Sequence, residues 1–171
     1  MILRSNTYEP YERKVLPGMA SSSKIKIVDN TDWRNEIEER TELLSQVELA
    51  QWAITVAKHG LPYLEAEFPN HESIENGFKV NEMWQRGEAT VHEVRQAGFK
   101  VHEVARSCTS ETAKAVARAV GQAVGVGHMR GHAMVATDYA MKAIGLGSQG
   151  DMSKITEERE WQSQELKKYI E

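Results

Sequence analysis

The stretch over residues 109–147 constrains the fold most, because small residues recur in it at helical spacing. Ala113, Ala117, Gly121 and Gly125 lie four residues apart, so they form one ridge along a helix. A ridge without large side chains lets a second helix approach closely. We therefore predict that this stretch forms the central helical hairpin, or one long broken helix, of an all-α domain.

Glycines also predict where this central element breaks. Each interior glycine destabilises a helix by about 1 kcal/mol relative to alanine, and four glycines fall between residues 121 and 131. We expect a break near residues 125–127 and a new helix over residues 128–144. Gly145 or Gly147 would then supply the left-handed residue that ends this helix.

The rest of the chain predicts further helices. Apolar residues recur at helical spacing over residues 46–59, and Gly60 with Pro62 ends or kinks that helix. Thr90-Val-His-Glu93 has the form of a capping box that opens a helix to about residue 107. The remaining predicted elements are a first helix capped by Asn30 or Thr31, one capped by Asn70 and stopped by Gly87, and a last helix over residues 156–170 capped by Asp151 or Ser153.

The predicted fold is all-α, a compact bundle of about six helices. Residues 1–30 hold two of the four prolines and little periodicity, so we expect an extended N-terminal arm. Residues 23–28 alternate like a strand, but no second strand is there to pair with it. Residues 31–147 are the expected helical domain, and residues 148–171 the expected C-terminal surface helix.

Composition excludes several classes of function. The formal net charge is −4 over 171 residues, with no long basic run, which argues against nucleic acid as the main partner. The single cysteine, Cys108, forms no internal disulfide and favours a reducing compartment. No apolar run approaches the roughly 20 residues that span a membrane, and no apolar secretory signal opens the chain. We expect a cytoplasmic protein without a membrane partner.

His128 and His132 are the candidate site. They lie one helical turn apart and share a face with Tyr139, seven residues further on. Histidines at this spacing can both reach one metal ion, and with Trp84 and Arg130 they could surround a small-molecule pocket. The alternative is that both rings pack between helices, with their nitrogens bonded to backbone or side-chain partners.

Signatures of catalysis and of bound cofactors are missing from the sequence. The glycines over residues 121–131 lack the Lys-Ser/Thr of a phosphate-binding loop, and no Glu-x-x-His pair of a di-iron bundle occurs. Asp138 falls off the histidine face and Cys108 is a full element away, so the spacing places no third metal ligand. We predict no catalytic residue and no cofactor.

Several segments of the chain, taken in order, resemble a known family. The segments that carry the resemblance are Leu49-Ala-Gln-Trp-Ala53, His59-Gly-Leu-Pro-Tyr-Leu-Glu65, Asn81-Glu-Met-Trp-Gln-Arg-Gly-Glu88, Arg95-Gln-Ala-Gly-Phe99 and residues 119–143 with His128-Met-Arg-Gly-His132 and Asp138-Tyr-Ala-Met-Lys-Ala143. The resemblance is to bacterial all-α proteins named as immunity proteins of polymorphic toxin systems, and it covers about residues 43–145. It implies a cytoplasmic helical domain that binds and neutralises a toxin without catalysis.

Three functions are compatible with these observations. The first is an immunity protein whose acidic faces meet a basic toxin, since acidic patches complement basic surfaces. The second is a small-molecule or metal-binding helical protein with a site at His128 and His132. The third is a structural homodimer. The acidic residues in question are Glu36, Glu38, Glu39, Glu42, Glu65, Glu67, Glu157, Glu158 and Glu160.

Overall fold

The computed structural model describes residues 23–171, and within them the chain is all-α, as predicted. Eight helices are present in this part of the chain, and no strand. In order they are α1 (Thr31–Thr41), α2 (Gln46–His59), α3 (Leu61–Glu65), α4 (Glu72–Gln85), α5 (Val91–Ser107), α6 (Glu111–Gly125), α7 (His132–Gly147) and α8 (Met152–Lys167).

The prediction of about six helices is too low, and two breaks explain the difference. Gly60 caps the end of α2, and Pro62 near the start of α3 makes this five-residue helix a separate element. The central stretch also divides fully, since the turns over residues 126–131 separate α6 from α7. The segment over residues 23–28, which alternates like a strand, has no strand partner and is irregular in the described part of the chain.

Helix α6 lies at the centre of the fold. It packs between α5 and α7 and also contacts α2, α3 and α4. About two thirds of its residues are buried, and these buried residues are all Ala, Val or Gly. The predicted central hairpin is therefore the α6–α7 pair, with α5 added on the other side of α6.

The limits of α7 differ from those predicted. The break begins at Gly125 as expected, but α7 starts at His132 rather than at residue 128. Gly145 and Gly147 stay helical, and Gln149 and Gly150 take the left-handed conformation, with φ of 57° and 79°. The N–H groups of these two residues donate to carbonyl oxygens of the last turn, so the termination motif lies two residues later than expected.

Local side chains determine where most helices begin. Thr90 and Glu93 form the predicted capping box of α5, while Asn30 and Asp151 cap α1 and α8. The cap of α4 was predicted wrongly: the imidazole of His71 accepts from the N–H of Ser73, and the preceding Asn70 is left-handed.

Helix α8 begins at Met152, four residues before the predicted start. It packs on α1 and α7, and the indole N–H of Trp52 in α2 donates to its Gln162 carbonyl at 2.9 Å. Within residues 23–171, no helix is long and apolar enough to cross a membrane.

Candidate functional site

Three histidines from different parts of the chain line one pocket of about 220 Å³. His102 comes from α5, His128 from the turn after α6, and His132 is the first residue of α7. We call this cavity the histidine pocket. Its floor consists of three glycines without side chains: Gly98, Gly121 and Gly125.

The glycines of α6 are needed because imidazole rings lie against them. A Cβ at Gly121 would come within 2.5 Å of the His102 ring, and a Cβ at Gly125 within 3.1 Å of the His132 ring. The small-residue ridge predicted from the sequence therefore has two roles. It lets α5 approach α6 closely, and at its C-terminal end it leaves room for the rings of His102 and His132.

The tautomer of His102 follows from its partner. Arg118 on α6 places Nη1 2.9 Å from Nδ1 of His102. Since a guanidinium only donates, Nδ1 is the acceptor, and the proton of the neutral ring is on Nε2. Burial, followed by the charges of Arg118 and Arg106, lowers the pKa of His102 to about 4, so this ring is neutral at pH 7.

The other two histidines are also neutral at pH 7. Their ring centroids are 4.8 Å apart in an edge-to-face arrangement. Burial first, then the neighbouring His128, Lys24 and His102, lowers the pKa of His132 to about 4. Burial and the charge of Arg95 lower the pKa of His128. Each neutral imidazole can therefore donate one hydrogen bond and accept another, and in His102 the acceptor is already used by Arg118.

Arg95 and Phe99 of α5 form one wall of the pocket. The Arg95 guanidinium lies over the Phe99 ring at 5.1 Å from its centroid, and 44% of Phe99 is exposed. In the described part of the chain no carboxylate lines the pocket. The wall thus presents a cation and an aromatic face together.

The structure brings together only part of the predicted site. His128 and His132 share the pocket, but Trp84 and Tyr139 pack against the hydrophobic core and do not line it. Arg130 is buried, with Nη2 donating to the carbonyl oxygens of Thr41 and Leu44 at 3.0 Å. It therefore covers the C-terminal end of α1 instead of facing a ligand.

Sequence reasoning missed His102, Arg95, Phe99 and Arg118. The signal that could have found His102 is its residue spacing from Gly98 on α5, because a glycine one turn away marks the face on which α5 meets α6. Arg95 and Phe99 are also four residues apart, but nothing in the sequence marks these two residues as part of a pocket.

Among the described residues, no third metal ligand joins His128 and His132. Across residues 23–171, no group of three or more histidine, cysteine, aspartate or glutamate side chains is arranged to hold a metal ion. Cys108 is buried at the end of α5, with its Sγ donating to the Val104 carbonyl at 3.4 Å. Burial raises the pKa of this thiol, which is typical of an inert cysteine.

A second polar cluster, on the other side of α7, was not predicted at all. The guanidinium of Arg159 is fully buried and makes five hydrogen bonds. It donates to both carboxylate oxygens of Asp29, to Asp138, to the hydroxyl of Thr137 and to the amide oxygen of Gln162. An arginine has five N–H groups, so its donors are all satisfied.

Asp138 links this cluster to α1. Its carboxylate accepts from Nε and Nη2 of Arg34 at 3.0 and 2.8 Å. Burial acts to raise the pKa of Asp138, but the hydrogen bonds and charges of Arg34 and Arg159 outweigh it and hold the pKa below its ordinary value. We call Asp29, Arg34, Asp138 and Arg159 the ionic cluster. It joins α1, α7, α8 and the segment before α1.

The fold and the pocket together define a small all-α protein with a cavity lined by three neutral histidines and Arg95. Residues 39–169 match the model of the family described as "Imm-5 like putative immunity protein", and the chain belongs to this family. The match extends the resemblance over residues 43–145 to include α8, which that resemblance left out. Searches of curated proteins and of solved structures find no match.

Proposed function

We propose that this protein is an immunity protein that binds a toxin and neutralises it in the cytoplasm without catalysis. The observation that carries the proposal is membership of the immunity-protein family over residues 39–169. Occlusion is the simplest mechanism, because a rigid helical surface that covers a toxin's active site needs no chemistry of its own.

The acidic residues expected to meet a toxin divide into two groups. Several are engaged within the fold: Glu36 with Arg40 at 2.8 Å, Glu158 with His59 at 3.0 Å, and Glu67 with the N–H groups of Thr109 and Ser110. Carboxylates engaged in this way are partly neutralised, so they contribute less to an external surface.

Glu39 and Glu42 are exposed at the C-terminal end of α1. Leu43 beside them is 68% exposed, the largest value among the exposed large apolar side chains of residues 23–171. Glu39 lies one helical turn before Leu43, and Glu42 directly precedes it, so both carboxylates are near this apolar side chain. We name these three residues the acidic surface.

The acidic surface suits a basic partner. An apolar side chain at the centre of an interface is desolvated on binding, whereas the charges at the rim steer the encounter and select the partner. We therefore assign the toxin's docking site to the acidic surface, with a patch of Lys and Arg on the toxin as its complement.

Growth rescue tests the function. Candidate toxin domains of the source organism are expressed one at a time in a sensitive host, with and without this protein. We expect one toxin to arrest growth alone and to be tolerated in the presence of this protein. If none of the toxic domains is tolerated, the protein is not their immunity protein.

A charge-reversal pair then tests the surface. Glu39→Lys with Glu42→Lys should weaken toxin binding at least about tenfold, mainly through slower association. The matched control is Glu75→Lys with Glu103→Lys, two exposed positions that change the net charge equally. Equal losses from both pairs would show a long-range charge effect and would reject the acidic surface as the docking site.

A further inference from the structure

We propose that the histidine pocket is a binding site for a small planar organic anion of the carboxylate class. This inference goes beyond toxin binding and does not rest on it. The family description names no ligand, and the proposal follows from the shape and chemistry of the pocket alone.

The size of the pocket sets the size of the ligand. About 220 Å³ corresponds to roughly seven water molecules at about 30 Å³ each. This is below the usual range for a cofactor or drug-sized molecule. A single ring with one acidic substituent is of the right order.

The polar groups of the pocket favour an anion. Arg95 supplies a full positive charge at one wall, and each neutral imidazole carries one N–H. Gln122 also lines the pocket, and its amide, whose Oε1 has no hydrogen-bond partner, can turn its NH₂ group to a ligand. His132 is the first residue of α7, where the N–H groups of His132 and Ala133 donate to the Met129 and Arg130 carbonyls of the preceding turn. The partial positive charge at a helix N-terminus adds to the preference for negative charge.

The walls favour a flat ligand. The flat rings of His102 and His132 lie against Gly121 and Gly125, and the partly exposed Phe99 ring lines the same pocket. The cation–π contact with Phe99 holds the Arg95 guanidinium over the ring. A planar carboxylate can pack its apolar ring against these surfaces while its oxygens meet the guanidinium in a bidentate pair.

Anion binding is linked to proton uptake at the histidines. An anion near an imidazole favours the charged imidazolium. The groups that face His132 are His128, His102 and Lys24, and Arg95 faces His128. All of these groups oppose protonation of the two rings, so a bound carboxylate should raise the pKa of His128 and His132. The affinity of the protein for the carboxylate should therefore rise as the pH falls from 8 to 5.5.

Histidine NMR with sodium benzoate as the probe tests the site. The Cε1–Hε1 signals of His128 and His132 should shift and saturate with a Kd of about 10 mM or below, while those of His59 and His71, which lie outside the pocket, stay in place. Benzamide, the neutral isostere, should give no saturable shift. Inorganic phosphate, which is tetrahedral and has no apolar part, should bind at least about tenfold more weakly.

A pair of arginine variants provides the control. Arg95→Gln should weaken benzoate binding at least about tenfold, because a hydrogen bond to a charged group is lost. Arg86→Gln changes an equally exposed arginine outside the pocket and should leave binding unchanged.

Several results would overturn the assignment. These are the absence of a saturable benzoate shift, an equal response to benzamide, tighter binding of phosphate than of benzoate, and unchanged binding by Arg95→Gln. A stoichiometric transition metal in the purified protein that is lost on His132→Ala would also overturn it in favour of a metal site. None of these outcomes depends on whether a toxin is found.

Discussion

The ionic cluster and the histidine pocket lie on different sides of the same helix. Asp138 and His132 are six residues apart on α7, which separates them by about 120° around the helix axis. On the Asp138 side, charged groups are buried and pair with one another. On the His132 side, the buried titratable groups are neutral, and Arg95 is exposed at the rim.

The two clusters differ in whether their polar groups are already hydrogen-bonded within the chain. In the ionic cluster the Arg159 donors are used within the chain, so nothing is left for a ligand. The histidine pocket is an open cavity that three imidazoles and Arg95 line. A fully satisfied polar network makes one arrangement of the helices specific, whereas convergent donors around a cavity are typical of a binding site.

The largest effect is expected from breaking the ionic cluster. Asp138→Asn removes the buried carboxylate that Arg34 and Arg159 share and leaves Asp29 as the remaining carboxylate partner of Arg159. The loss should cost about 3–5 kcal/mol of unfolding free energy. Urea denaturation measures the loss. Arg86→Met breaks an exposed arginine–glutamate pair and should cost less than about 1 kcal/mol. Equal losses for the two variants would mean that the cluster contributes no more than a surface ion pair.

Acid should destabilise the protein through the histidine pocket. The pKa of His102 and His132 is about 4 in the folded state, against about 6.5 in the unfolded chain. The unfolded state therefore binds more protons below pH 6.5, so stability is complete above that pH and falls between pH 6.5 and 4. Each histidine should account for on the order of 2 kcal/mol after allowance for its partial exposure.

The variant His132→Gln tests the pH dependence. Its unfolding free energy, measured by denaturation at several pH values, should fall less steeply between pH 6.5 and 4 than that of the unchanged protein. The control is His92→Gln, at an exposed position outside the pocket, which should leave the slope unchanged. A slope that is the same in all three proteins would contradict a neutral His132.

A smaller effect should follow from filling the pocket floor. Gly121→Ala would place a Cβ against the His102 ring, and the displaced ring should cost about 1–2 kcal/mol. Gly145→Ala meets nothing within 4 Å and should stabilise α7 by up to about 1 kcal/mol. Thermal unfolding compares the two. If His102→Ala removes the cost of Gly121→Ala in a double-mutant cycle, the contact with the ring is the cause.

The smallest change in stability is expected at Arg95. Its side chain is exposed and lies at the rim of the pocket, so Arg95→Gln should alter the unfolding free energy by no more than about 0.5 kcal/mol. Urea denaturation of the same preparation used for benzoate binding checks this. A loss comparable to that of Asp138→Asn would place Arg95 among the structural groups and remove the contrast between the two clusters.

Much of the fold could be predicted because its signals are local. The Thr90–Glu93 capping box is confirmed, as is the stop at Gly87, which is left-handed and follows the last turn of α4. The residues that make these motifs lie within about one turn of each other, so sequence spacing alone places them. The wrong predictions of the N-cap of α4 and of the end of α7 are local errors as well. In each case several neighbouring residues could cap or end the helix.

The candidate site was less predictable. The spacing of His128 and His132 was informative because they are four residues apart, although His128 lies before α7 and not within it. The spacing gave no means of adding His102 from α5 or of removing Tyr139. Sequence spacing also could not predict the role of Arg130, because the carbonyl groups to which it donates are 86 and 89 residues away.

By itself, the sequence determined an all-α chain, the limits of α2 and α5 and the small-residue ridge of α6. Only the tertiary structure decided which polar groups meet. Arg34 and Asp138 are 104 residues apart, and Arg159 and Asp29 are 130 apart. The physical reason is that helix caps and turns depend on neighbouring residues, whereas ion pairs and pockets depend on how helices pack. In this protein that packing brings α5 and α7 together across the glycines of α6.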